Sequence, residues 1–345
     1  MDRPSDGSRL EREDLIRFAL EALGLERSAS VEVSALDVRG SDRTFYRMRT
    51  REGQTAVLVH YDPNRIENTY YFEAASFLRE KEIAVPRVFG HDKERCLIVM
   101  EDLGDQDLWY FRKAPWEIRE PLYKKTLNVA QRLHRIRKDD VPSQRVRVME
   151  AFGPSLYRWE RDYFKEYFVK SICGIELDVP FQQELEQELS DLAEKLCERE
   201  GVLIHRDLQS QNVMVRGEEV FLIDFQGMRF GNPLYDLGSL LCDPYVEFSD
   251  SEREELLAFY YSSSAGGSSW LHFSKAFWEA SAQRLMQALG AYGFLAKKKG
   301  LSAFLQYVPP GLSRLGQASS AASLSCLHAL CRRCQRRWEE LGKRR

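Results

Sequence analysis

The hydrophobic period of this chain changes once, near Leu103-Gly104, and that change limits the folds open to it. Before it, five short runs read as strands: Val31 to Val38, Thr44 to Arg49, Ala56 to Tyr61, Pro86 to His91 and Leu97 to Glu101. Turn signals at Arg39-Gly40-Ser41-Asp42, Glu52-Gly53 and Asp92-Lys93 separate them. Two helical patterns, Arg12 to Leu23 and Arg65 to Lys81, lie inside this block. After it, apolar residues recur at three- and four-residue spacing in Glu117 to Ile136, Phe152 to Ser171, Gln182 to Arg199, Asp250 to Tyr261 and Ala276 to Ala296. Short strands around Asn212 to Val215 and Val220 to Ile223 interrupt the helices. A small β-rich lobe over 1–102 followed by a larger helical lobe over 103–345 is an α+β layout with a cleft between lobes.

Its 345 residues allow two cores. The formal net charge of -3 shows no basic excess, so no nucleic-acid partner is expected. No stretch approaches the roughly 18 apolar residues of a membrane helix. Met1 to Arg12 is polar and charged, unlike a signal peptide. Seven cysteines without a regular framework read as reduced thiols of a cytoplasmic protein. The group Cys326, Cys331 and Cys334 has helical spacing and reads as packing, and the basic pairs Arg332-Arg333 and Arg336-Arg337 read as a solvated helix face. Nothing in the sequence sets an oligomeric state.

The chemistry is concentrated in His205-Arg206-Asp207-Leu208, then Asn212, then Ile223-Asp224-Phe225. The segment resembles the catalytic loop and metal-binding turn of protein kinases and their small-molecule relatives, whose phosphoryl transfer from ATP needs an acceptor hydroxyl aimed in line, its proton accepted, and the triphosphate charge neutralised by Mg²⁺. Asp207 suits the first two tasks. The amide oxygen of Asn212 and the carboxylate of Asp224 are hard ligands suited to Mg²⁺. The apolar runs Val202 to Ile204 and Val220 to Ile223 deliver these groups to one place. That resemblance implies a bilobal protein-kinase-like fold, with His205 and Arg206 supporting Asp207. In Pro233-Leu234-Tyr235-Asp236-Leu237-Gly238 it implies that Asp236 hydrogen-bonds the catalytic-loop backbone. The gap from Asp224 to Asp236 leaves no room for a long activation loop, which favours a small-molecule acceptor over a protein.

On the nucleotide side, the hairpin Gly40, Ser41, Asp42 and Arg43 is expected over the ATP phosphates. The run Cys96 to Gly104 resembles the strand and hinge that receive adenine, with Met100, Glu101 and Asp102 at the base edge. Kinases usually carry a lysine on the third strand, paired with a helix glutamate. Here Ala56 to Tyr61 has none, Glu73 stands in the glutamate's place, and either His60 or Arg43 is a candidate for the missing charge.

Together these features resemble the aminoglycoside-phosphotransferase-like kinases. The closest subgroup is the bacterial kinases of the anomeric hydroxyl of N-acetylmuramate and N-acetylglucosamine, through Glu101-Asp102-Leu103-Gly104-Asp105, Asp224-Phe225-Gln226, Gly231 to Leu237 and Gln283 to Tyr292. The subgroup also lacks the strand lysine. It implies a sugar acceptor and a place in cell-wall recycling. Arg158 and Glu160, on an aromatic-rich helix, and Gln209 and Gln211, on the catalytic loop, are the candidate acceptor contacts; Arg284 and Gln287 lie on a later helix. Two alternatives stay open: a kinase of another small alcohol, such as an aminoglycoside or choline, and a nucleotide-binding pseudokinase, which the missing lysine suggests.

Overall fold

The computed structural model describes residues 12–26, 29–36, 43–198, 201–263, 267 and 269–343. The chain divides into two compact units, Met1–Gly104 with Ser143–Val148, and Asp105–Pro142 with Met149–Arg345.

The first unit holds, in chain order, α1 (Arg12–Ala22), β1 (Val31–Leu36), β2 (Thr44–Thr50), β3 (Thr55–His60), α2 (Tyr71–Glu80), β4 (Val88–Asp92) and β5 (Leu97–Glu101). The strands form an antiparallel sheet in the order β1-β2-β3-β5-β4, with Leu58 opposite Val99 and Val57 opposite Met100. Successive strand side chains point to opposite faces. On one face Ala19 of α1 joins Met48, Ala56, Leu58, Leu97 and Val99 in a buried cluster. On the other, Val57, Val59, Ile98 and Met100 are also buried. There the Tyr71 hydroxyl of α2 donates to Met100 Sδ at 3.2 Å. Helices on both faces explain why β3 and β5 read as unbroken apolar runs rather than alternating ones. Gly90 lets α1 approach β4: a Cβ there would stand 2.6 Å from that of Ala22.

The second unit begins with α3 (Trp116–Leu133) and α4 (Pro154–Phe164), which runs on as a π-helical turn over Lys165–Lys170. Next come α5 (Val179–Cys197), β6 (Val202–Ile204), β7 (Val213–Arg216), β8 (Glu219–Leu222) and β9 (Arg229–Gly231). The chain then runs through α6 (Pro233–Leu241), α7 (Asp250–Ser263), α8 (Trp270–Lys298), α9 (Val308–Ala321) and α10 (Ser325–Gly342). β6 pairs antiparallel with β9, and β7 with β8, so that His205–Asn212 runs between the two pairs. α8 packs against α4, α6 and α9. It starts earlier than the apolar spacing predicts because the Ser269 side chain accepts from His272 N and caps it. Sheet and helices sort as the change of period implies, into an α+β protein-kinase-like fold. No helix among the described residues is long and apolar enough to cross a membrane.

Candidate active site

β6 ends at Ile204, and the chain turns sharply into His205–Asn212. Arg206 sits at φ +77°, in the left-handed region, which costs an ordinary residue about 1–2 kcal/mol. The turn is held by Asp236 in the first turn of α6. Its carboxylate is fully buried and accepts the backbone N–H of His205 at 2.7 Å and of Arg206 at 2.8 Å. His134 Nε2 lies 3.0 Å from the same carboxylate and Nδ1 lies 2.8 Å from the Tyr260 hydroxyl. Since a carboxylate only accepts, Nε2 carries a proton.

A second carboxylate holds the other half of the loop. Buried Asp243, just past α6, accepts from Ser210 N at 2.8 Å, Ser210 Oγ at 2.6 Å and Tyr245 N at 3.0 Å. Burial raises its pKa and these donors oppose that. Asp243 is absent from the motif reading, although an aspartate at a helix C-terminus, where the dipole disfavours it, is a signal in itself.

Between these braces the Asp207 side chain emerges, 32% exposed, while Leu208 is fully buried. Arg206 Nη1 lies 3.3 Å from one of its oxygens and Arg284 Nη2 lies 3.4 Å from the other. Burial works against the charged carboxylate, but the two guanidinium groups outweigh it and hold its pKa below the usual range. Arg284 is itself placed by Ser239 Oγ at 2.7 Å and by Gln287 Oε1 at 2.5 Å.

The two proposed metal ligands adjoin this loop. Asn212 Nδ2 donates to the carbonyl of Asp207 at 2.8 Å, which turns Oδ1 the other way. Asn212 O accepts from Ile223 N at 3.0 Å, and His205 Nε2 meets Ile223 O at 2.9 Å. These bonds bring the end of β8, and so Asp224, beside the loop. Asp224 has φ +61° and accepts from Gln226 Nε2 at 2.8 Å. Two hard oxygen donors fit Mg²⁺, which takes one or two protein carboxylates and completes its shell with phosphates and water. Among the described residues no group of three or more His, Cys, Asp or Glu side chains offers a fuller metal cage.

The candidate acceptor contacts separate. Gln209 and Gln211 are partly exposed on the loop of Asp207. Glu160 points into the interior, 1% exposed, and accepts from Tyr235 OH at 2.8 Å and Gln283 Nε2 at 3.0 Å. Burial pushes its carboxyl pKa up. Arg158, about 200° further round the helix, is exposed and lines a groove with Gln182, Gln183 and Glu186 of α5. The structure does not bring these two together.

In the first unit, Gly40, Ser41 and Asp42 lie outside the described residues. Arg43 stacks over the Phe45 ring at 5.4 Å. Met100 is buried. Glu101 donates its N–H to Arg87 O at 2.8 Å, and its carboxylate accepts from Arg87 N at 3.1 Å. Asp102 is clamped by Arg47 of β2, at 2.8 and 3.0 Å. Arg47 also reaches Gly104 O at 3.2 Å, and Gly104, at φ +85°, closes the turn. The charge opposite Glu73 comes from neither His60 nor Arg43. Arg147, in 143–148, places Nη2 3.9 Å from Glu73 Oε1 and stacks on Tyr70 at 4.5 Å. Arg145 of the same segment pairs with Glu80.

An α+β chain of two units, with a braced aspartate between two cations, has the architecture of a protein-kinase-like phosphotransferase. Residues 32–273 match the model of the phosphotransferase enzyme family, and the chain belongs to that family. It is an ATP-dependent kinase of small molecules. The chain is 24% identical over 328 residues to an N-acetylmuramate/N-acetylglucosamine kinase of Neisseria meningitidis serogroup B, covering 93% of this chain and 95% of that protein. The subgroup resemblance read from the motifs is borne out by that relative. Among solved structures, a choline/ethanolamine kinase family protein from Mesorhizobium loti superimposes with a TM-score of 0.59 at 18% identity, covering 87% of this chain and 92% of that one. An ADP-bound aminoglycoside phosphotransferase gives 0.59 at 16%, covering 90% and 99%. These two likenesses bear on the fold alone.

Proposed function

We propose that this chain transfers the γ-phosphoryl group of ATP to the anomeric hydroxyl of an amino sugar of the N-acetylmuramate and N-acetylglucosamine class, a step of cell-wall recycling. The observation that carries this reading is the charge around Asp207. Arg206 and Arg284 flank it, Gln287 is bonded to Arg284, and the nearby carboxylate of Glu160 is buried and engaged elsewhere. A cationic acceptor such as choline or an aminoglycoside is met by carboxylates or aromatic rings, and the two guanidinium groups beside Asp207 oppose one. Cations and amides suit neutral hydroxyls, an acetamido group and the carboxylate of a lactyl side chain. The name of the meningococcal relative supports the same sugars.

In this reading the ionised Asp207 accepts a hydrogen bond from the acceptor hydroxyl and turns an oxygen lone pair toward the phosphorus. The transition state is loose, so aim counts for more than basicity. A carboxylate held below its usual pKa is suited to aiming. Arg206 and Arg284 hold its two oxygens in place. Asn212 and Asp224 would hold Mg²⁺, which neutralises phosphate charge when bound. Met100 to Asp102 would receive the adenine edge, and Gly40 to Arg43 would meet the phosphates. Arg147, steadied by Glu73, is the cation we assign to the role left open by the absent strand lysine. ATP turnover against a panel of N-acetylmuramate, N-acetylglucosamine, choline and an aminoglycoside tests the reading. Turnover with the amino sugars alone supports it; turnover with choline or the aminoglycoside and none with a sugar contradicts it.

A further inference from the structure

α8 is buried from Ala280 to Gly293 except at two residues, Gln287 and Ala291. These stand four apart on one face, and partly exposed Phe294 continues it. That open face begins at Arg284, whose guanidinium meets both Asp207 and Gln287. It therefore leads away from the catalytic aspartate.

Its far end meets a ladder of rings. Trp159, Tyr163 and Tyr167 are spaced one helical turn apart on α4 and its π-helical extension. Trp159 stacks on Tyr163 at 5.1 Å and 16°, and Tyr163 meets Tyr167 at 4.8 Å. Phe294 closes on both tyrosines, at 5.8 and 5.1 Å. Two glycines of α8 let the ladder sit this close. A Cβ on Gly290 would stand 2.8 Å from Tyr163 Cδ1, and one on Gly293 only 2.2 Å from Tyr167 O. Gly290 lies about 9 Å along the helix from Arg284. Burial and Tyr167 push the Tyr163 phenol up to about 12, while Arg206 pulls the other way, so the ladder lies within electrostatic reach of the catalytic loop. Trp159 leaves 52% of its surface exposed.

We infer that Trp159 and Tyr163, with Gln287 between them and Asp207, form the acceptor subsite, where the apolar face of a pyranose stacks on the rings while its reacting hydroxyl reaches Asp207. This rests on the reading that the acceptor is a sugar. A pyranose presents a patch of C–H groups on one face and hydroxyls at its edge, which matches rings flanked by an amide. Aromatic rings also attract cations, but Arg206 and Arg284 at the near end repel one. Neither charged residue of α4 first considered for this task, Arg158 or Glu160, lies on the ladder.

The test is steady-state kinetics of the full chain with N-acetylmuramate and N-acetylglucosamine, each substrate varied in turn. Trp159→Ala should raise the sugar KM about tenfold, the loss of one good aromatic contact, and leave the ATP KM unchanged. Trp159→Tyr should restore most of the affinity, and Tyr163→Ala should raise the sugar KM in the same direction as Trp159→Ala. An unchanged sugar KM in Trp159→Ala, with the sugar still phosphorylated, overturns the subsite and leaves the proposed function standing. Failure of the parent chain to phosphorylate either sugar overturns both. Trp159 is half exposed, so its substitution decides the matter even where a change at Tyr163 disturbs folding.

Discussion

The turn after β5 in the first unit and the catalytic loop in the second are both held by aspartates, but by different means. Asp102 is clamped by a cation, Arg47, in a pair with side chains 6% and 15% exposed. Asp236 and Asp243 are wholly buried and are met by backbone N–H groups, a serine hydroxyl and a histidine. A guanidinium pair tolerates small shifts. Two backbone N–H groups on one carboxylate fix the path of the chain itself, at the cost of dehydrating a charge. The economy lies in the cations. Because the braces draw on neutral donors and a histidine, Arg206 and Arg284 remain with Asp207, the group proposed to aim the acceptor hydroxyl.

That contrast predicts a graded series. Asp236→Ala removes the acceptor for two buried N–H groups and should lower kcat by about two to three orders of magnitude, measured with saturating ATP and sugar. It should also lower the unfolding midpoint. Asp243→Asn, which keeps one acceptor oxygen, should cost about tenfold in kcat with little change in either KM. Arg47→Gln should leave kcat within about twofold and raise the ATP KM several-fold, since it loosens a turn rather than the reacting centre. An equal fall in kcat for Arg47→Gln and Asp236→Ala would erase the distinction between the two regions.

The smallest expected effect is on pH dependence. Asp207 is held below its ordinary pKa, so its ionised form is favoured in the fold. The resulting stability is present above the unfolded carboxylate pKa and disappears as pH falls through the lowered folded value. Arg284→Gln removes one of the two cations that lower it. The acid limb of kcat against pH should then move to higher pH; an unmoved limb would mean that Arg284 does not act on Asp207.

Much of this was legible in the sequence where the information is local. β5 spans the residues expected for it, because Leu97 to Glu101 has a sheet neighbour and helices on both faces. The loop His205–Asn212 follows β6, and Asp224 follows β8, because apolar runs precede both. What escaped is long-range. Arg47 reaches Asp102 across 55 residues and Arg284 reaches Asp207 across 77. Neither pairing has a spacing to read. Arg147 escaped for the same reason, since 143–148 returns to the first unit after the chain has entered the second. Glu160 was read as an acceptor contact because it stands among aromatic and charged residues on one helix; Tyr235 and Gln283, which hold it inside, lie 75 and 123 residues away.

The central claim is that Asp207 aims a small-molecule hydroxyl at the γ-phosphorus of ATP. Its most direct test is the single-turnover rate of phosphoryl transfer to the sugar in Asp207→Asn, with ATP affinity measured in parallel. The rate should fall by about three orders of magnitude or more with ATP binding intact; a rate within a few-fold of the parent would contradict this role for Asp207.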